Sequence, residues 1–488
     1  MRFLSDDAGK GKGKGKGKGK GSTEAFQIPR GRAAWMQALL EAFPAEKKGL
    51  ERYRADMVAF AKVGLVYQIW RSFVPGSWLS ENLFSVMAKK MTTFSQVSAA
   101  ERLDKITTNR RLRALLSYIS LGCCGLPPTE IQYGLVTGLH THFAEGGYYP
   151  EHGAGHVAAA MVRQIEKYGG RVILRSTVDR VLVDDDGKAA GVQLLSKRTH
   201  GVRVMAPVVI STIGIHLTVD KLLRPPTYND DFRDPLQSPG DTVREDLSAK
   251  LGTLQRTLGH IYVFVGIDGD GDRLGLPATN TWEFPDLDLT KGRKAFLEDP
   301  EAPFGYVGLA FPSQKDPTHA ARHPGKSTAV LLAGDVPWSW FQEWEATRVH
   351  NRGDEYEAFK ARFQKRLLDV MYRIYPQLKG KVAYVNVGTP LDTNFYLGKV
   401  HGSSYGLKLN VAKAKADVDW IRPAMKGLPE NMFIAGQDLT CDGFAPAVLS
   451  GLMCAAAVEG PLHWLEVVPM FGGYSETLQK VVFKTSRT

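Results

Sequence analysis

Apolar residues in the first third of the chain recur at the three- and four-residue steps of amphipathic helices. This pattern predicts helices over residues 33–43, 48–65 and 97–119. A fourth predicted helix, over residues 153–168, has one continuous apolar face and is followed by two glycines that end it. The chain before residue 170 is therefore predicted to be mainly helical.

Beyond residue 170 apolar and polar positions begin to alternate, which is the two-residue period of half-buried strands. Short strands are predicted at 172–174, 178–183, 191–194 and 202–204, with a tight turn at 184–187. Residues 208–210 are apolar throughout and predict a strand that is buried on both faces. Strands and helices then mix from about residue 217 to residue 387.

The stretch that says most about function begins at residue 431. A short apolar strand is followed by Gly436, Gln437 and Asp438, and then by a helix of small residues from about Pro446. A strand that opens onto a helix N-terminus lets the backbone approach a phosphorylated ligand, whose charge the helix dipole favours. The Asp438 carboxylate can accept hydrogen bonds from sugar or ribityl hydroxyls. The same pattern is also typical of a strand-turn-helix unit that only packs, so both interpretations stay open.

The composition is that of a globular protein, since 43% of the 488 residues are apolar and 23% are charged. The net charge is +11, but residues 1–22 hold seven cations and two aspartates, which leaves +6 for the rest. This balance gives no reason to expect nucleic acid as a partner. The four cysteines lack metal-ligand spacing and are predicted to be reduced thiols in a reducing compartment.

Motifs for other chemistries are weak. Residues 153–158 have the glycine spacing of a dinucleotide fingerprint, but no apolar strand precedes them. Residues 268–272 are similar to the start of a calcium loop but lack its glycine and glutamate, so they predict a surface hairpin turn. His152 and His156 have helical spacing without a suitable acid between them, and no metal site is predicted.

Two segments raise the question of a membrane or another anionic partner. Residues 9–21 alternate glycine and lysine, which predicts a disordered tail that is either a basic tether or an unselected extension. Residues 57–91 mix large apolar residues with lysine and arginine, which suits an interfacial helix and a cap over an apolar tunnel equally well. No run is long enough for a transmembrane helix, so only a peripheral membrane contact is predicted.

Four segments together resemble the retinol saturase branch of the carotenoid isomerase and phytoene desaturase flavoproteins. They are residues 146–150 with the following helix, the strand pair through 188–192, residues 311–318 with 324–328, and the stretches from 375–391 through 402–406 to 436–438. The resemblance extends over about residues 27–465. It implies a mixed α/β (α+β) fold, in which an FAD-binding Rossmann-like core is interleaved with a substrate domain of antiparallel sheet and helices.

The resemblance implies contacts with FAD at five positions. Val178 would lie near the adenine through its backbone, Gly436, Gln437 and Asp438 near the pyrophosphate and ribityl groups, and Ala447 near the isoalloxazine. Members of this family begin with a glycine-rich dinucleotide fingerprint that this sequence lacks. The Rossmann-like core is therefore expected to be incomplete, either because the gene product is incomplete or because a paralogue has lost half of its cofactor site.

The activity implied by the resemblance is FAD-dependent reduction, isomerisation or desaturation of a conjugated double bond in a retinoid or carotenoid. NAD or NADP is the candidate electron donor, and the surface of the endoplasmic reticulum or a plastid is the candidate location. His140, Tyr149 and Tyr405 are the candidates for the proton donor or its positioning partner. The alternatives are a flavin-free paralogue that binds an apolar ligand and a binder of anionic membranes or RNA that works through the Gly-Lys tail.

The resemblance also implies a division of the chain. The expected segments are a Gly-Lys tail (1–24), a helical substrate or cap region (25–150), a segment of the FAD domain (151–215), a substrate domain (216–424), a C-terminal segment of the FAD domain (425–466) and a second tail (467–488).

Overall fold

The computed structural model describes residues 1–3, 25–72, 91–144, 146–195, 201–223, 241–415, 421–460 and 463. Most of the two predicted tails, the loop expected near 224–241 and most of the second half of the 57–91 segment lie outside these residues.

The described chain before residue 170 is mainly helical, as predicted. Its helices are α1 (Arg32–Ala42), α2 (Lys47–Ser72), α3 (Ala99–Asp104), α4 (Arg110–Cys124), α5 (Tyr133–Phe143) and α6 (Ala154–Lys167). The single helix predicted over 97–119 is wrong, because Asn109 divides it. The Asn109 side chain accepts the Leu112 amide and begins α4 as a new helix.

An aromatic side chain of α2 packs into a glycine groove on α5. The Phe60 ring lies so close to Gly134 that an added Cβ there would come within 2.6 Å of it. Phe60 also meets Phe94 edge-on, with 5.7 Å between ring centroids. Met57 and Val63 are buried in the same region. These apolar positions of the 57–91 segment therefore face the protein core.

Two small sheets follow the helical region. One is an antiparallel meander of β2 (Val178–Val183), β3 (Ala189–Leu194) and β4 (Arg203–Met205). In the other, β5 (Val209–Ser211) pairs in parallel with β11 (Met432–Ile434). This pairing joins two segments that are distant in the sequence, and the division of an FAD domain between them stays a prediction.

Two strand predictions are wrong in detail. Residues 172–174 form no regular secondary structure, and Ile173 and Leu174 are exposed. A run of three apolar residues has too few positions to form a stable strand without a neighbour, and none pairs with it in the described chain. The strand at 208–210 is buried on one face only, since Ile210 is exposed while Val209 is buried. The two-stranded β5–β11 sheet packs its other face on the core.

The largest sheet has six strands in the order β1–β7–β8–β9–β6–β10. The strands are β1 (Arg2–Phe3), β6 (Gly259–Asp268), β7 (Thr281–Phe284), β8 (Val307–Ala310), β9 (Lys326–Val336) and β10 (Val382–Gly388). All neighbours are antiparallel except β1 and β7. Alternate residues of β6, among them Ile261 and Val263, are buried in one cluster with Phe363 and Leu367 of the helix 354–374.

The remaining helices connect and cover these sheets. They are α7 (Ile215–Leu217), continued by a π-helical turn (Thr218–Leu222), then α8 (Asp241–Gly252), α9 (Leu289–Glu298), α10 (His319–Arg322), α11 (Asp354–Ile374), α12 (Pro390–Leu397), α13 (Val411–Lys415) and α14 (Phe444–Glu459). Helix α14 begins before Pro446, because Gly443 starts it and proline is tolerated in a first helical turn. The predicted fold class, a mixed α/β (α+β) fold that includes an antiparallel sheet and helices, is confirmed.

A buried ion pair joins α9 to the end of β9. Arg293 Nε donates to Asp335 Oδ2 at 2.5 Å, and both side chains are almost completely shielded from solvent. On the same helix Lys291 pairs with Asp286, but the Lys291 side chain is 75% exposed. Both pairs join a basic side chain to an aspartate, so they differ mainly in how far they are buried.

Replacing Arg293 by Met should lower the free energy of unfolding by about 3–5 kcal/mol, because Asp335 would be left as an unpaired buried charge. Lys291→Met is the matched control and should change it by less than about 1 kcal/mol, since water screens the exposed pair. Urea denaturation followed by circular dichroism measures both values. Equal losses in the two variants would contradict the importance of burial here.

Candidate functional site

The parallel pair β5–β11 brings two glycine turns to the same edge of the sheet. The Ala435 amide donates to the Ser211 carbonyl at 2.9 Å where both strands end. Gly214 follows β5 with a φ of 100° and Gly436 follows β11 with a φ of 117°. A residue with a Cβ would be strained in this conformation. In open α/β sheets the carboxyl ends of parallel strands are the usual place for a ligand.

Asp438 connects these turns to a third segment. Its Oδ2 accepts the Ile215 amide at 2.9 Å and its Oδ1 accepts the Leu407 amide at 3.0 Å. The side chain is buried, and a Cβ added at Gly406 would lie 1.8 Å from Oδ1. The carboxylate thus holds the backbone together, and its predicted contact with ribityl hydroxyls stays a prediction.

Gly436 and Gln437 connect the second turn to α14. The Gly436 amide donates to Ser450 Oγ at 2.7 Å, and the Ser450 hydroxyl donates to the Ala447 carbonyl at 2.6 Å. Gln437 Oε1 accepts the Gly443 amide at 3.3 Å. We call residues 214–215, 406–407, 436–443 and the first two turns of α14 the crossover site.

The start of α14 is open. Gly443 has a φ of 116°, and no side chain caps the helix. Phe444, in the first turn, is 65% exposed, and Val448 in the second turn is also exposed. Helix N–H groups and the positive end of the helix dipole favour an anion, while exposed apolar side chains next to the small Ala447 suit a flat ring. The residues present therefore fit a flavin dinucleotide.

Val178, the residue expected near the adenine, lies at the start of β2. It packs partly against the buried cluster that contains Val209, Ile215 and Met432. It is therefore adjacent to the core beneath the crossover site, and a backbone contact with adenine stays a prediction.

His140 is buried within the helical region. Its Nδ1 lies 2.5 Å from the Tyr53 hydroxyl, and its ring centroid lies 4.8 Å from that of Trp35. Burial lowers the pKa of His140 to about 3, because the cation would lose its hydration. An imidazole that is neutral at physiological pH is a poor proton donor. The geometry thus favours a structural hydrogen bond over the predicted donor role.

The two tyrosines predicted as proton donors lie in different surroundings. Tyr149 is exposed in the loop before α6, with its hydroxyl next to Gly153. The Tyr405 residue is half-buried and lies two positions before Leu407, whose amide donates to Asp438. Its ring meets His260 edge-on, with 5.7 Å between ring centroids. Burial raises the pKa of the Tyr405 phenol, which is therefore neutral. Of the two, Tyr405 adjoins the crossover site.

Sequence reasoning missed a buried polar chain on β6. His260 Nε2 lies 3.1 Å from the Tyr306 hydroxyl, and its Nδ1 lies 3.2 Å from the Tyr262 hydroxyl. Burial lowers the pKa of His260 to about 3. The only available signal was a histidine at the start of an alternating strand, which is too common a pattern to indicate a site.

Sequence reasoning also missed Asp442, which directly precedes Gly443. Its side chain is only 8% exposed, and among the described residues its Oδ2 has no hydrogen-bond partner. Burial raises the pKa of the Asp442 carboxyl to about 7, with Lys413 acting against this shift and Asp438 reinforcing it. The available signal was an aspartate immediately before the glycine that begins a helix.

Two further properties concern the described residues as a whole. Among them no group of three or more His, Cys, Asp or Glu could hold a metal ion. Within the same ranges, none of the helices combines the length and apolarity needed to cross a membrane.

Gly406→Ala should destabilise the protein, because the new Cβ would collide with Asp438 Oδ1 and separate it from the Leu407 amide. Losing a hydrogen bond to a buried charged group costs about 1.5–3 kcal/mol of unfolding free energy. Gly451→Ala on α14 is the control, since its Cβ would enter open space and alanine favours helix. Urea denaturation should show a loss for the first variant and none for the second; no difference would contradict the close contact.

No protein-family model matches the chain. Human all-trans-retinol 13,14-reductase is 31% identical over 437 residues, which cover 88% of this chain and 68% of the human protein. A Danio rerio protein named inactive all-trans-retinol 13,14-reductase is 29% identical over 456 residues, which cover 89% of this chain and 69% of the Danio rerio protein. Among solved structures, an oxidoreductase from Methanosarcina mazei aligns with a TM-score of 0.48 and 15% identity, covering 78% of this chain and 73% of that chain. The human likeness shows that the chain belongs to the all-trans-retinol 13,14-reductase family.

Proposed function

We propose that the chain is an FAD-dependent oxidoreductase that reduces a conjugated double bond of a retinoid or a related polyene. The observation that carries this proposal is the 31% identity to human all-trans-retinol 13,14-reductase across 88% of the chain. The crossover site supports it independently, since two glycine turns and an open helix N-terminus form the kind of edge that a dinucleotide requires.

Bound FAD would supply hydride transfer, and the protein would bind and orient the reactants. Gly436 and Gly443 would let the backbone approach the phosphates, and the N–H groups at the start of α14 would face negative charge. Phe444 and Val448 would lie against the ring system. Asp438 would keep the turns in register through its two amide partners.

The second face of the large sheet offers an apolar surface for the substrate. Tyr262 and Phe264 of β6 stack with 6.1 Å between ring centroids. Tyr384 of β10 lies on the same face, because it pairs with Gly266, the next residue of β6 on that face. Tyr384 and Phe264 are both exposed. We call Tyr262, Phe264 and Tyr384 the aromatic strip. It leads through His260 to Tyr405 and so ends at the crossover site.

An apolar path of this kind would align a polyene by shape and not by charge. Long conjugated chains bury much apolar area, and each Å² removed from water contributes about 25 cal/mol. The aromatic strip would fix the chain, while His260 and Tyr405, both neutral, would add no charge that opposes burial. The reacting bond would then lie beside the start of α14.

Two parts of the proposal rest on the family resemblance alone. They are NAD or NADP as the electron donor and a peripheral contact with a membrane that supplies the apolar substrate. The segment expected to make that contact, residues 57–91, is described only in its first half and at its last residue, and the first half contributes Met57 and Val63 to the core.

The second candidate function is a flavin-free binder of an apolar ligand. Two observations favour it: a Danio rerio relative bears the name inactive, and both oxygens of Asp438 already accept backbone amides. Such a protein would keep the aromatic strip but would use the crossover site only for packing.

The first candidate predicts that the purified chain retains added FAD after desalting and that Gly443→Ala weakens binding at least about 10-fold. That factor corresponds to about 1.4 kcal/mol, the lower end for one hydrogen bond to a charged group. Gly460→Ala is the matched control, because Gly460 also has a positive φ, 107°, but follows the other end of α14. Quenching of FAD fluorescence gives the affinities. A flavin-free wild-type chain that binds retinol would favour the second candidate.

Tyr384→Asp should weaken retinol binding at least about 10-fold, because a carboxylate in the aromatic strip would lose hydration when the polyene covers it. Tyr168→Asp makes the same change at an exposed tyrosine that ends α6 and should leave retinol binding unchanged. Retinol fluorescence titration in detergent reports both affinities. Unchanged binding by Tyr384→Asp would remove the aromatic strip from the proposed path.

A further inference from the structure

Asp442 lies where three separate parts of the chain meet. Asp442 precedes α14 and interacts electrostatically with Cys123 and Cys124 at the end of α4. It also interacts with Tyr405, which lies in the loop that Asp438 holds through the Leu407 amide. Burial is the main cause that raises the pKa of each of these groups, and the nearby carboxyl adds to it. The helical region, the loop that carries Tyr405 and the start of α14 therefore meet near one carboxyl group.

The surroundings of Asp442 disfavour its charged form. Its Oδ2 is buried and has no hydrogen-bond partner in the described chain. Burial consequently raises the pKa of Asp442 to about 7, Asp438 acts in the same direction, and Lys413, Lys399 and the Gly406 amide act against it. Within the described part of the chain, the titratable and charged groups that interact with Asp442 are Asp438, Lys413, Lys399, Cys123, Cys124, Cys441 and Tyr405.

Tyr405 connects this carboxyl to the proposed substrate path. The Tyr405 ring meets His260 edge-on at 5.7 Å, and His260 Nδ1 lies 3.2 Å from the Tyr262 hydroxyl in the aromatic strip. The Asp442 carboxyl adds to the rise of the Tyr405 pKa. Asp442 in turn lies two residues before Phe444, the residue in the first turn of α14 that would lie against the flavin ring. A polyene that follows the aromatic strip to the start of α14 would therefore reach Asp442 at the place of hydride transfer.

We propose that the Asp442 carboxylic acid donates the proton that completes reduction of the polyene double bond. This inference rests on the proposed function. One alkene carbon forms a new C–H bond with the Asp442 proton, using the π electron pair, while the carboxyl O–H bond breaks. The neighbouring carbon, now electron-deficient, would take the hydride that bound FAD supplies in its reduced form. The polyene would thereby gain two electrons, FAD would return to its oxidised form, and solvent would return a proton to the carboxylate.

Asp442 suits this step better than His140 and Tyr405, two of the proton donors predicted from the sequence. A proton donor works best when its pKa lies near the working pH. The pKa of His140 is far below that range and the pKa of Tyr405 far above it, both because of burial. Asp442 has a pKa of about 7 and an oxygen that nothing else occupies.

The test uses the full chain with FAD bound and reduced by dithionite, mixed with all-trans-retinol in D₂O in a single turnover. Wild-type protein should reoxidise its flavin and give a dihydro product with two solvent-derived deuterium atoms on carbon, because the flavin N5 hydrogen and the carboxyl proton both come from D₂O. Asp442→Asn should bind FAD and retinol as wild type does but react about 10²–10⁴-fold more slowly. Asp442→Glu should recover part of the rate, and Asp185→Asn, at an exposed turn, should react as wild type does.

A second measurement needs no flavin. Infrared spectra of wild type should show a carboxylic acid C=O band that titrates near pH 7 and is missing in Asp442→Asn. The wild-type pKa rises from 3.8 to about 7 on folding, so the wild type loses stability as the pH rises through this interval. The melting temperature of Asp442→Asn minus that of wild type should therefore increase over the interval and level off above it.

The outcomes separate the two proposals. If wild type does not oxidise its flavin with any polyene, the proposed function fails, and the donor role of Asp442 fails with it. If wild type reacts and Asp442→Asn stays within about threefold of its rate, only the inference about Asp442 is overturned. The absence of a titrating carboxylic acid band overturns that inference whatever the activity.

Discussion

The crossover site depends on the hydrogen bonds of one buried carboxylate. Asp438 accepts the amides of Ile215 and Leu407, which belong to segments that lie far apart in the sequence. Without this acceptor two buried N–H groups would lose their partner, a loss that folded proteins rarely tolerate. Hydrogen bonds to a charged acceptor are also shorter and stronger than neutral ones. Asp438 thus ties the 403–407 loop to the turns after β5 and β11, which the pairing of these two strands already places side by side.

Glycines make the hydrogen bonds of Asp438 sterically possible. Asp438 can approach the 403–407 loop closely because Gly406 has no Cβ, and the turns after β5 and β11 need the positive φ values of Gly214 and Gly436. Gly443 then gives α14 a start that no side chain caps. Each of these positions would be strained or filled by any larger residue. The open helix end is therefore a consequence of backbone conformation and not of a particular polar side chain.

The sequence predicted the parts of this site that depend on local pattern. The apolar run before Gly436, the small-residue helix after it and the helices before residue 170 follow from periodicity within a single segment. It did not predict that Asp438 would be occupied by amides from residues 215 and 407, because such contacts depend on how distant segments pack. The same limit explains the unpaired stretch at 172–174 and the exposed Ile210, since strand pairing and the covering of a sheet face are both non-local.

Two carboxyl groups four residues apart have opposite surroundings, and this difference connects the fold to the chemistry. Asp438 is buried with two N–H donors, whereas Asp442 is buried with an Oδ2 that lacks a partner among the described residues. Hydrogen bonds stabilise a charged carboxylate and desolvation disfavours it, so neighbouring acids can take different protonation states at one pH. The Ile215 and Leu407 amides that donate to Asp438 also hold the segments of the crossover site together. Burial raises the pKa of the Asp442 carboxyl to about 7, so below this pH the group is mostly uncharged and can keep the proton that the proposed reaction uses.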